Sequence, residues 1–191
     1  GTPEQKKKYL PRIAKGAVSA FALTEPDAGS DPAKMVTTAT PVEGGNYYLI
    51  NGLKLWCTNG TIADITVVMA KTPPKIVHGK EKTQITAFIV EKNMPGYEVA
   101  HRCTFMGLKG IQNGLLRFKD MKVPKENIIW GLGQGLKLAL STLNTGRLTV
   151  PAACAAMAKK SIEIARKWGN EHVQWGQPIG KHEAIASKIS L

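Results

Sequence analysis

Apolar positions follow two regimes along this chain. From Gly16 to about Ile128 they come in short alternating or β-branched runs; from Gly133 onward they recur at three- and four-residue spacing. The first regime predicts strands. Tyr47-Tyr48-Leu49-Ile50 and Leu53-Lys54-Leu55-Trp56 flank Asn51-Gly52, a pair suited to the positive φ angles of a type I′ turn, so a hairpin is predicted there. Further runs lie at Ile65–Met69, Ile85–Val90 and Leu115–Phe118, separated by Pro73-Pro74, Pro95-Gly96 and the loop around Gly107 and Gly110. Thr72 to Thr83, lysine-rich and broken by its prolines, reads as an exposed loop. Strands divided by turns, with no helix between them, predict an antiparallel sheet closed as a small barrel or sandwich.

The second regime predicts helices. Leu136, Leu140 and Leu143 share one face, and Met157, Ser161, Ile164, Ala165 and Trp168 continue such a stripe. Pro151 lies between them and is predicted to kink or split the helix. Exposed stripes of this kind predict self-association of an isolated chain. A last helical pattern runs from His182 to Leu191 with no cap after it, and residues 4 to about 15 form a short amphipathic helix. Both ends are expected to be the interior of a larger protein. The fold class is therefore α+β: an antiparallel β-barrel followed by the first helices of an α-helical bundle.

Composition narrows the function. Hydrophobic residues make up 43% of the 191 positions, ordinary for a globular chain. No run approaches the roughly 20 apolar residues of a membrane span. The three cysteines, Cys57, Cys103 and Cys154, form no metal-ligand spacing and read as reduced thiols of the cytoplasm or mitochondrial matrix. The net charge of +12 favours polyanionic or phosphate-rich partners. The lysines are scattered, however, and no zinc-finger, RNP or arginine-arm motif accompanies them, so nucleic acid is not the expected partner.

Three segments are candidates for chemistry. Ala20 to Leu23 runs into Thr24-Glu25-Pro26-Asp27-Ala28-Gly29-Ser30-Asp31, a loop whose amides and hydroxyls suit a heteroaromatic ring or a phosphate, although an acidic surface turn has the same composition. Trp56 and Thr58, two apart on a strand, point the same way and together can stack on a flat ring and bond its edge; Trp56 by itself reads as core. Asn144 and Arg147 share a helix face, where an arginine pairs with phosphate or carboxylate or simply meets solvent.

In order, these segments form T-E-P-x-A-G-S-D at Thr24–Asp31, N-G-x-K-x-W-x-T-N-G at Asn51–Gly60, G-L-K-G at Gly107–Gly110, V-P-x-E-N at Val123–Asn127, and G-x-G-x-K at Gly133–Lys137. This series resembles the acyl-CoA dehydrogenase family and spans nearly the whole chain. The resemblance implies three parts: the last helix of an N-terminal helical domain at 1–15, a middle β-barrel domain that binds FAD and acyl-CoA at 16–128, and the start of a C-terminal helical domain at 129–191. It implies that Phe21, Leu23, Thr24, Trp56, Cys57 and Thr58 line the isoalloxazine of FAD, with the Thr58 hydroxyl reaching flavin N5. It implies too that Ser30, Asn144 and Arg147 meet the acyl-CoA, and that His172 and Gln174 face the FAD of a neighbouring subunit. The implied reaction is α,β-dehydrogenation of a fatty acyl-CoA, with electrons passed to an electron-transfer flavoprotein by a homotetramer or homodimer.

Two departures qualify that picture. The family's catalytic glutamate lies either beyond position 191 or immediately before the arginine of the Asn144–Arg147 helix, where this chain has Gly146, so no catalytic residue is expected here and no turnover by these 191 residues alone. A non-catalytic flavin- or acyl-CoA-binding or assembly module of the same fold is the alternative. His172 stands in His172-Val173-Gln174-Trp175-Gly176 where the family commonly has arginine, which predicts FAD retention weaker by about 1–3 kcal/mol. No metal site is expected.

Overall fold

Alternation along β-branched segments builds the first of two units. The computed structural model describes residues 1–190, which divide into a unit of residues 1–140 and a unit that begins at Ser141. The first opens with α1 (Pro3–Ala14), capped by Thr2, whose hydroxyl accepts from Gln5 N–H while the Gln5 side chain returns to the Thr2 amide. Eight strands follow: β1 (Ser19–Ala22), β2 (Thr38–Val42), β3 (Tyr47–Thr58), β4 (Ile65–Val77), β5 (Lys80–Glu91), β6 (Tyr97–Arg102), β7 (Asn113–Pro124) and β8 (Ile128–Ile129). They form one sheet in the order β6-β7-β3-β2-β4-β5-β8, with β1 joined to β4.

This corrects the expected barrel in two ways. The sheet is not closed, and β1 and β2 both run parallel to β4 while the other pairings are antiparallel. Inward positions of β3, β4, β5 and β7 supply the main core, including Ile50, Val68, Phe88, Leu116 and Met121. A second cluster gathers Met35, Met69, Ile85, Ala87 and Ala139, with Phe21 and Leu23 packed against it.

Two local expectations are overturned, and one of the two alternatives at Pro151 is excluded. Asn51-Gly52 is no turn: β3 runs straight through it and pairs with β7 from Tyr47↔Pro124 to Thr58↔Asn113. The register shifts between Ile50 and Gly52, and Asn51 bridges the resulting bulge, donating from Nδ2 to Asp120 Oδ1 (3.1 Å) and accepting from Asp120 N–H (2.8 Å). Thr72 to Thr83 is no loop either. β4 and β5 extend as an exposed ribbon with Lys75↔Lys82 and Val77↔Lys80 paired, closed by His78 and Gly79 at φ +50° and +74°. The positive-φ pair thus sits there instead, and Pro73-Pro74 is absorbed by a register shift between Thr72 and Lys75. Finally, Pro151 does not split its helix: α2 (Gly135–Glu171) continues through it. The alanine-rich stretch that follows, Ala152 to Ala158, favours helix strongly enough to offset the lost hydrogen bond.

α1 is tied down by polar contacts. Gln5 Nε2 donates to the Glu126 and Ile128 carbonyls (2.7 and 2.8 Å), and Glu91 on β5 receives Arg12 (2.8 Å) and Lys8 (3.2 Å). In the second unit, residues 141–168 of α2 are exposed throughout, including Leu148, Met157 and Trp168. β9 (Val173–Gln174) and β10 (Gln177–Pro178) then form a small antiparallel pair before α3 (Glu183–Ser190). Leu191, which ends the expected last helix, lies outside the described residues.

Candidate functional site

The end of β3 bulges, and the bulge makes the site. Between Lys54↔Leu116 and Cys57↔Gly114 the register slips, and Trp56 takes φ +55°, a left-handed conformation that costs a bulky residue free energy. Its indole is thrown outward, 53% exposed, and lies 5.7 Å from the Phe105 ring. The reading of Trp56 as core is therefore corrected. Thr58 is exposed on the same side, while Cys57 between them is buried.

The Thr24 segment comes to this same place. Leu55 N–H donates to the Thr24 carbonyl at 2.8 Å, and the Cys57 thiol lies 3.6 Å from the Phe21 carbonyl. Thr24, half-buried, is thus joined through its carbonyl to Leu55, the residue before the outward-facing Trp56, and Thr58 follows two positions further along the same strand. Phe21 and Leu23 are half-buried and lean on the second core, which leaves their backbone rather than their side chains to meet a ligand. Cys57 is buried, and that burial pushes its thiol up to about 11, which keeps it protonated at neutral pH.

An ion pair that sequence reasoning missed holds the two segments together. Lys54 Nζ donates to Glu25 Oε1 (2.7 Å) and to the Leu23 carbonyl (3.1 Å), with both side chains essentially inaccessible. Glu25 also accepts from Val36 N–H (2.5 Å) and Thr37 N–H (3.1 Å). The expected acidic surface turn therefore has its first acid inside. Period-2 counting through Tyr48, Ile50 and Lys54 places this lysine on the buried face, a signal that was available in the sequence.

Burial raises the Glu25 carboxyl, but the bonds from Lys54, Thr37 and Val36 outweigh it and hold the group below its ordinary 4.5. Burial depresses Lys54, with Glu25 opposing. Glu91 is raised by burial and, in net, lowered by Arg12 and Lys8. A carboxyl lowered in the folded state contributes stability that is full above its ordinary range and is lost as pH falls through the lowered value. The urea midpoint is therefore expected to drop from neutral pH to about pH 3, and to drop less in Glu91→Gln, as followed by circular dichroism.

The remaining candidates lie on other elements. Ser30 is exposed on the loop that leaves the site. In the second unit, Asn144 and Arg147 stand exposed about one turn apart on α2. His172, just past the end of α2, stacks on Trp168 with ring centroids 4.8 Å apart, and Gln174 sits on β9 with its carbonyl 3.3 Å from His182 Nε2. Among the described residues no group of His, Cys, Asp and Glu is arranged to hold a metal.

Comparison with known proteins identifies the family. The family model "Acyl-CoA dehydrogenase, middle domain" matches residues 20–121, and "Acyl-CoA dehydrogenase, C-terminal domain" matches 133–190. The chain is 55% identical over 191 residues to the probable acyl-CoA dehydrogenase FadE10 of Mycobacterium tuberculosis and 41% identical over 192 residues to the very long-chain specific acyl-CoA dehydrogenase of Rattus norvegicus. All of the chain is covered, but only 29% of each relative. It superposes on the acyl-CoA dehydrogenase complexed with FAD from Bacillus anthracis with a TM-score of 0.87 and 38% identity, covering 100% of this chain and 32% of that one. For the butyryl-CoA dehydrogenase of Megasphaera elsdenii the values are 0.86, 37%, 100% and 49%. With two family domains matched in sequence and the same fold, this chain belongs to the acyl-CoA dehydrogenase family.

Proposed function

We propose that these residues form the flavin-facing part of an FAD-dependent dehydrogenase that oxidises fatty acyl-CoA thioesters between Cα and Cβ. The observation that carries the reading is the convergence of the Thr24 segment on Trp56 and Thr58 through the Leu55–Thr24 hydrogen bond. The residues suit FAD: an exposed indole to cover a flat ring, a hydroxyl with a proton to give, and strand-end backbone at its edge. FAD, when bound, supplies the hydride acceptor.

The chain's own groups bind and orient. Trp56 covers the ring, Thr58 donates to N5, and Thr24 with the Phe21, Leu23 and Cys57 backbone lines the pyrimidine side. Ser30, Asn144 and Arg147 receive the acyl-CoA, whose phosphates suit a chain of charge +12. His172 and Gln174 face the FAD of a neighbouring subunit. The group that takes the α-proton lies outside this cluster, because Glu25 is committed to Lys54 and position 146 is glycine. An electron-transfer flavoprotein takes the electrons, and the working form is a homotetramer or homodimer.

Replacing Trp56 with alanine tests this reading. FAD affinity, measured by reconstitution of the full-length apoprotein, is expected to fall about tenfold. Because the side chain is half-exposed, the melting temperature should scarcely move. Unchanged affinity would remove Trp56 from the flavin site.

A further inference from the structure

Asn113 opens β7 opposite Thr58 and is 4% exposed. Its Nδ2 donates to Thr58 Oγ1 at 3.2 Å, whereas its Oδ1 is buried without a hydrogen-bond partner, the one side-chain atom so placed among the described residues. The backbone around it is gripped from both sides. The Asn113 carbonyl accepts from Cys103 N–H (2.8 Å) and the Gln112 carbonyl from Asn59 N–H (2.5 Å). Gly114 beside it has no room for a methyl, since a Cβ would lie 2.8 Å from Thr61 Cγ2 and 2.9 Å from the His101 carbonyl. The carboxamide cannot drift to find a second partner, so half of its hydrogen-bonding capacity is forgone to make a single bond, and that bond is to Thr58.

A threonine hydroxyl has one proton and two lone pairs. With a lone pair occupied by Asn113 Nδ2, the proton is left for the exposed side that Thr58 shares with Trp56. The reverse amide orientation would present Oδ1 to Thr58 and consume that proton inside the protein. We infer that Asn113 is a positioning residue that holds the Thr58 hydroxyl as an outward donor to an acceptor atom on the edge of the bound ring. The inference rests on the flavin reading of the Thr24–Trp56–Thr58 cluster and adds to it the source of the hydroxyl's direction.

The test uses the full-length protein and two β-branched replacements of equal size, Asn113→Thr and Asn113→Val, alone and combined with Thr58→Val. Both leave the same space where the carboxamide was, so losses from packing cancel between them. Asn113→Thr retains a hydroxyl able to donate to Thr58 and is expected to bind FAD within about twofold of the parent. Asn113→Val should bind about fivefold more weakly. Added to Thr58→Val it should weaken binding no further, because the group it acts through is gone. The flavin absorption band should shift in Asn113→Val and Thr58→Val alike and stay in place in Asn113→Thr. Equal affinities for the two Asn113 variants, or an Asn113→Val effect that multiplies with Thr58→Val, would overturn the inference and leave the flavin site standing. A parent protein that binds no FAD would instead refute the reading beneath it.

Discussion

Replacing Lys54 with methionine is expected to cost the first unit about 3–5 kcal/mol of stability, measured by urea unfolding. The two side chains are close in volume, so the loss is electrostatic rather than steric. Without Lys54 Nζ, the Glu25 carboxylate keeps only the Val36 and Thr37 amides, and the Leu23 carbonyl loses the ammonium that contacts it. A buried charge stripped of its partner costs far more than the pair contributes when intact. The double change Glu25→Gln with Lys54→Met should therefore be less destabilised than Lys54→Met alone. The same lysine ties β3 to the Leu23–Thr24 backbone, so FAD affinity should fall with it. A single variant as stable as the parent would mean that the pair is not buried as described.

The second large effect is expected at Gly52. There φ is +147°, and an added Cβ would lie 2.8 Å from both Cα and Cβ of Thr37. Gly52→Ala combines backbone strain with overpacking against a main chain that cannot rotate away, for a loss on the order of 3 kcal/mol. Asn51→Ala next to it removes the bridge to Asp120 at an exposed edge and should cost no more than about 1 kcal/mol. If thermal melts gave both variants the same loss, the close approach of β3 to Thr37 would be wrong.

Asn51-Gly52 also marks where sequence reasoning misled, and why. Asn-Gly favours positive φ whether it closes a hairpin or relieves a bulge, and local pattern alone does not separate the two. What separates them is the partner strand, β7, more than 60 residues away in sequence, which sets two residues, Lys119 and Asp120, opposite the single Asn51 and so bulges there. The turn at His78-Gly79 was hidden for the converse reason: lysines and prolines around it imitate a loop, and the ribbon is held by its ladder rather than by a buried face. The split offered as one alternative at Pro151 does not occur, because the helix-forming alanines that follow outweigh a single lost bond.

The nearness of the candidate segments was more legible than the sheet. Thr24, Trp56 and Thr58 were named from residue type and spacing, and the fold brings them to neighbouring strand ends. The elements that orient them were not, because each works across strands. Lys54 meets Glu25 from 29 positions away, and Asn113 meets Thr58 from 55. Trp56 was misjudged as core because alternation takes no account of a bulge, and it is the bulge that turns the indole outward.

If this face of the first unit grips FAD, backbone hydrogen exchange on the full-length protein with and without FAD will register it. Saturable binding with slowed exchange concentrated at residues 21–24 and 55–59 is expected. FAD that bound and left those two segments exchanging as before, or a protein that took up no FAD at all, would contradict it.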